Sequence, residues 1–84
     1  MKKEDFKALA LAEQGMVIIN RAKHLAQVKQ GNQLLNLYSL DDFFVEVYYS
    51  IESDKIDKIE IIHDLSRIDH YIDEQQKEKK PHIN

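Results

Sequence analysis

The stretch LYSLDDFFVEVYYSIESDKIDKIEIIHD, residues 37–64, decides the fold of this chain because apolar and polar residues alternate along it. Alternation with a period of two predicts β-strands that have one buried and one exposed face. In the central strand, Val45 and Val47 belong to the apolar set. The opposite set then includes Phe44 and Tyr48, two large aromatic side chains on the side that is expected to meet water.

The connection before the central strand follows from the requirement that one face of the sheet be apolar. A three-residue connection over residues 40–42 pairs Leu37 with Val45 on the inner face. A two-residue turn at residues 41–42 pairs Leu37 with Glu46 instead, which mixes polar and apolar side chains on both faces. Because a slip of one residue turns every side chain to the opposite face, we predict the three-residue connection.

The connection after the central strand is inferred in the same way. A loop over residues 53–55 pairs Tyr49 with Ile59 and Val47 with Ile61. The result is an antiparallel meander that turns one apolar face toward the helices. The inner residues that define this face are Val45, Val47, Ile59 and Ile61.

The amino-terminal part predicts a helix over residues 3–23, because alanine, leucine and isoleucine recur there at three- and four-residue spacing. The end of this helix is open. Residues 25–29 continue the helical pattern up to Gly31, which suits a helix terminator, but they also fit a first strand that turns at Gly31. We favour the helix slightly, so the prediction is three strands, or four if residues 25–29 form a strand.

The carboxyl-terminal part predicts a second helix in DLSRIDHYIDE, residues 64–74. Leu65, Ile68 and Ile72 lie on one helical stripe, with Tyr71 at its border. Both helices are expected to cover the same apolar sheet face. The predicted fold is therefore a two-layer α+β domain, with an N-terminal helix, an antiparallel meander and a C-terminal helix.

Composition and charge indicate one soluble domain over residues 1–76, followed by a charged tail, residues 77–84, that is expected to fray. The chain of 84 residues has no cysteine, so neither a disulfide framework nor thiolate chemistry is expected. Its purely apolar runs, such as MVII, are too short to cross a bilayer, and we expect a cytoplasmic protein without a membrane partner. The net charge of −3 argues against nucleic acid as a partner.

The outer face of the predicted sheet is the candidate functional surface. Tyrosine and phenylalanine are enriched where protein surfaces associate, and a small single-core domain gains stability by dimerising. We therefore expect a non-catalytic interaction module that binds itself as a homodimer, or binds another protein, through this aromatic face or through a sheet edge. The predicted interface residues are Tyr38, Phe44, Glu46, Tyr48 and Ile62.

No catalytic residue, cofactor or metal is predicted. His63 and His70 with a nearby carboxylate are ligand types that zinc accepts. However, the chain has 15 acidic residues, so acids beside a histidine are expected by chance. Asp41 and Asp42 suit turn geometry better than acid–base chemistry. The alternative to an interaction module is a small-ligand-binding protein or an enzyme with a cleft near Tyr49, His63 and His70.

Overall fold

The computed structural model describes residues 1–78 of the chain. The charged tail expected at residues 77–84 lies outside the described residues from position 79 onward. The elements are, in chain order, α1 (Lys3–Lys7), α2 (Leu11–Arg21), β1 (Lys23–Gln30), β2 (Gln33–Leu40), β3 (Phe43–Ser50), β4 (Lys55–Ile61) and α3 (Ser66–Glu78). No helix in this part of the chain combines the length and the apolar character needed to cross a bilayer.

The four strands form one antiparallel sheet in the order β1-β2-β3-β4, which confirms the predicted α+β class with a meander between helices. Residues 25–29 belong to β1, so the preference for a helix there was wrong and the four-stranded alternative is correct. Ala26 and Val28 are buried while their neighbours are exposed, which is the two-residue period of a strand. Gly31, at φ 61°, supplies the positive φ that a two-residue turn into β2 requires.

The amino-terminal helical region is broken where the sequence predicted one continuous helix over residues 3–23. α1 ends at Lys7, and α2 begins after Ala10, whose backbone is extended. The backbone N–H of Ala10 donates to Glu13 Oε1 at 2.9 Å, which satisfies one polar group at the start of α2. The break allows Phe6 of α1 to reach the core independently of α2.

The connection from β2 to β3 is a two-residue turn, so the predicted three-residue connection was wrong. Leu40 pairs with Phe43, and Leu37 lies opposite Glu46. Asp41 adopts a φ of 54°, a conformation that aspartate tolerates better than most residues. The prediction failed because it assumed that only one face is covered, whereas helices cover both faces and Glu46 finds polar partners beneath one of them.

The pairing of β3 with β4 is offset by two residues from the prediction. Val47 pairs with Ile59 and not with Ile61, and the ladder is interrupted at Asp57, an extra residue in β4 that forms a bulge. An offset of two residues keeps each side chain on its original face, so the predicted inner residues do lie together on the α2 side. These residues are Val45, Val47, Ile59 and Ile61.

Two apolar clusters lie on opposite faces of the sheet. The cluster beneath α1 and α2 consists of Phe6, Ile18, Leu40, Phe43, Val45 and Val47. The cluster beneath α3 consists of Ala26, Val28, Leu35, Leu37, Ile62 and Tyr71. The expectation that both helical regions share one face was therefore wrong, and a helix packs on the sheet from each side. On the face opposite α2, α3 turns Ile68 and Tyr71 toward the sheet. Leu65, which the predicted helical stripe included, remains 66% exposed.

Candidate functional site

The five predicted interface residues do not share one open surface. Glu46 is 3% exposed and Ile62 is buried, and both lie on the face that α3 covers. Phe44 and Tyr48 are partly buried against the same cluster. Tyr38 lies on the opposite face, beside the α2-side cluster. The structure therefore brings four of the five together, beneath a helix, and their role as an interface stays a prediction.

Glu46 is the centre of a hydrogen-bonded cluster that joins the sheet to α3. Arg67 donates from Nη2 to Oε2 of Glu46 at 2.6 Å and from Nε to Oε1 at 3.3 Å. The hydroxyl of Tyr71 donates to Oε2 at 2.7 Å, and the hydroxyl of Tyr48 donates to Oε1 at 3.2 Å. Each carboxylate oxygen therefore accepts two hydrogen bonds, which occupies the lone pairs that a substrate or a metal ion would need. This arrangement indicates a structural role.

The surroundings of Glu46 set the charge state of the whole cluster. Burial alone would raise the pKa of Glu46, but the hydrogen bonds from Arg67 and Tyr71 and the charge of Arg67 outweigh it, so the pKa lies below its ordinary value. Burial, and then the hydrogen bond to Glu46, raise the pKa of Tyr71 far above its ordinary value. Burial and the charge of Glu46 raise the pKa of Tyr48. At neutral pH the cluster therefore holds a carboxylate, a guanidinium and two neutral phenols.

Acid is expected to weaken the attachment of α3. Because the pKa of Glu46 is lower in the folded chain than in the unfolded chain, its contribution to the free energy of unfolding is complete above the unfolded value, near 4.5, and is lost as the pH falls through the folded pKa. Urea denaturation at several acidic pH values should therefore show a smaller loss of stability for Glu46→Gln than for the native chain. The same pH dependence in both proteins would contradict this assignment.

The first open surface is a groove on the face that carries α2, called the open groove below. Its volume is about 390 Å³. Ile19 of α2 lines it and keeps 77% of its surface exposed. On the sheet side lies the buried amide of Asn36, whose Oδ1 accepts hydrogen bonds from Gln27 at 2.8 Å and from His24 at 3.1 Å. The remaining lining residues are Leu34, Tyr38, Val47, Tyr49 and Ile56.

The second open surface is the free edge of β4. The N–H of Ile62 donates to the carbonyl of Phe44 at 2.9 Å, so in the antiparallel ladder Ile62 and Glu60 direct their backbone groups toward β3. The backbone N–H and C=O groups of Ile59 and Ile61 consequently point away from the sheet. A depression of about 370 Å³ lies beside these residues and is bordered by α1 and α2.

The cleft suggested around Tyr49, His63 and His70 does not form as one site. Tyr49 lines the open groove, whereas His63 borders the depression beside β4. His70 lies on α3, with its ring edge-on to that of Tyr71 at 6.0 Å between centroids. Among the residues that the structure describes, no group of three or more histidine and acidic side chains is placed to hold a metal ion.

No protein-family model, no curated protein and no solved structure matches this chain. The two open surfaces and the Glu46 cluster are therefore the features from which a function is inferred.

Proposed function

We propose that this protein is a non-catalytic interaction module that self-associates through the free edge of its sheet at β4. The observation that carries the proposal is the pair of outward-facing backbone positions, Ile59 and Ile61, which have no partner strand among the described residues. An open edge of this kind is a template for a strand of another chain. Every residue of β4 is exposed or half-buried, so the edge is accessible along its length.

The edge supports self-association better than the aromatic face does. Phe44 and Tyr48 pack against the cluster beneath α3, and exposing them fully would require breaking the hydrogen bonds that hold Glu46. Both edge strands contain a bulge, at Leu25 in β1 and at Asp57 in β4, but the charged residues of β1 are lysines alone, and lysines oppose pairing at sheet edges, whereas β4 carries charges of both signs. The site with the fewest obstacles to a second strand is therefore β4.

Ile59→Pro is expected to abolish dimerisation without unfolding the chain. Proline removes an N–H that points away from β3, so the internal ladder keeps its hydrogen bonds while the edge loses a donor. Sedimentation equilibrium between micromolar and millimolar concentration should show a monomer–dimer equilibrium for the native chain and only monomer for the variant. Circular dichroism would verify that both chains are folded.

Ile59→Ala is the matched control for the proline substitution. It shortens the same side chain but keeps the N–H, so dimerisation should be weakened and not lost. A native chain that remains monomeric at millimolar concentration would contradict the proposed function.

A second candidate function is the binding of a small apolar molecule in the open groove. Its volume lies within the range of roughly 300–1,000 Å³ that is usual for ligand sites. Its lining is mainly apolar, with the Asn36 amide as an orienting polar group. The exposure of Ile19 on its border is consistent with a surface that is covered only when a ligand is bound.

Ile19→Asp is expected to remove most of the fluorescence increase that the native chain gives with the dye 8-anilinonaphthalene-1-sulfonate. A charged side chain at the border of the open groove disfavours an apolar occupant. Leu65→Asp is the control, because it adds the same charge at a comparably exposed apolar residue near α3. Undiminished dye fluorescence in Ile19→Asp would reject the groove as a ligand site.

A further inference from the structure

We infer that β4 pairs with β4 of a second copy in one antiparallel register, in which Ile59 lies opposite Ile59 of the partner chain on a two-fold axis. The inference rests on the proposed function and specifies its partner and its geometry. A strand that pairs with itself about a two-fold axis must complement its own sequence read backwards. β4 does so around Ile59, because Lys58 and Glu60 flank that residue with opposite charges.

The backbone is compatible with this register. Hydrogen-bonded pairs in an antiparallel ladder form between residues whose N–H and C=O groups face the other strand. Ile59 meets this condition in both chains, so the central pair exchanges two N–H···O=C hydrogen bonds. The bulge at Asp57 interrupts the strand two residues away, which shortens the regular ladder. Because the shortened ladder provides few backbone hydrogen bonds between the two chains, the side chains decide which register is favoured.

The charged face of β4 selects Ile59 as the centre. In that register Lys58 of each chain lies opposite Glu60 of the partner chain, so two pairs of opposite charge form. Moving the axis by one residue places Lys58 against the partner's Lys58, or Glu60 against the partner's Glu60. Within one chain the two side chains are 53% and 52% exposed and lie 3.7 Å apart, and breaking such an exposed pair to form new ones has a low energetic cost.

The apolar face of β4 favours the same arrangement. Ile59 and Ile61 are half-buried against the α2-side cluster, so each retains apolar surface at the edge. Pairing about Ile59 brings the two Ile59 side chains together beside the depression that Phe6 and Gln14 border. Removing this apolar area from water contributes roughly 25 cal/mol per Å².

The other edge strand, β1, lacks the matching charges. Its charged residues are Lys23 and Lys29, and the strand contains no acid. Lysines and bulges oppose unspecific edge pairing, and β4 has both features as well. Of the two edge strands, only β4 has an acid, Glu60, that lies opposite a lysine, Lys58, of the partner chain when the strand pairs with its own copy. We conclude that its edge resists other strands and accepts its own copy.

The test exchanges the two charges in the full chain. Lys58→Glu and Glu60→Lys each place like charges opposite one another twice, so the dimer dissociation constant at low salt is expected to rise about tenfold or more. The double variant Lys58→Glu/Glu60→Lys restores opposite charges and should recover the native dissociation constant to within a few-fold. An equimolar mixture of the two single variants should form a heterodimer, because one chain then carries two acids and the other two bases around Ile59.

Lys29→Glu is the control, since it makes the same charge change on the other edge strand and should leave the dissociation constant unchanged. Thermal melting followed by circular dichroism verifies that each variant is folded. If the native chain dimerises and both single variants dimerise equally well, the register is wrong while the proposed self-association stands. If no protein dimerises and the mixture remains monomeric, the proposed function is wrong and the register with it.

Discussion

Replacing Arg67 by methionine is expected to lower the free energy of unfolding by about 3 kcal/mol. Glu46 would then keep its charge beneath α3 without a cation beside it, and an uncompensated buried charge is strongly destabilising. The expected loss is at the low end of the usual range, because Tyr71 and Tyr48 still donate to the carboxylate. Urea denaturation at neutral pH measures the difference.

Two further variants separate the buried charge from the loss of side-chain packing. Adding Glu46→Gln to Arg67→Met should recover part of the stability, because a neutral amide is easier to bury than an unpaired carboxylate. Arg21→Met is the control, because it removes an exposed ion pair in which Nη2 of Arg21 lies 3.6 Å from Oδ2 of Asp41. It should change the free energy of unfolding by less than about 0.5 kcal/mol. A double variant less stable than Arg67→Met alone would contradict the role assigned to the buried charge.

The Glu46 cluster also explains why the aromatic surface predicted from the sequence is not free. A carboxylate in the middle of a sheet face requires donors, and α3 supplies two of them from Arg67 and Tyr71. The same helix then covers the neighbouring apolar residues. Burial of Glu46 and coverage of the predicted interface are therefore two results of one set of hydrogen bonds.

The sequence predicted the meander and most of the α2-side face correctly because side-chain alternation tolerates errors of two residues. Val47 was paired two positions too far along β4, yet the inner face remained correct. The predicted β2–β3 connection was wrong by one residue, so Leu37 was assigned to the α2-side face, whereas it lies in the cluster beneath α3. The pattern of one strand pair could not reveal that both faces of the sheet are covered.

The candidate site was harder to predict, because it depends on contacts between distant parts of the chain. One local signal was available. Glu46 is the only charged residue in FFVEVYY, and an acid between buried positions requires partners. The identity of those partners could not be inferred from spacing, because Arg67 and Tyr71 lie 21 and 25 residues further along. The predicted meander already placed β4 at an edge of the sheet, but the side-chain pattern did not show which backbone groups of β4 point away from β3.

Phe6→Ala is expected to lower the free energy of unfolding by about 3–5 kcal/mol. Phe6 has 0% exposure, and its ring meets that of Phe43 edge-on at 6.0 Å between centroids. α1 has only five residues, fewer than an isolated helix needs to be stable, so its position depends on this side chain. Urea denaturation should show the loss, and amide hydrogen exchange should show faster exchange in α1 than in β2.

The control for Phe6→Ala is Ile19→Ala, which removes an aliphatic side chain that is mostly exposed and should change the free energy of unfolding by less than about 0.5 kcal/mol. Phe6 also borders the depression beside β4, so the variant tests whether α1 limits access to that edge. If α1 only covers the core, the dimer dissociation constant should be unaffected as long as the chain remains folded. A loss of stability below about 1 kcal/mol would show that α1 is held by contacts other than Phe6.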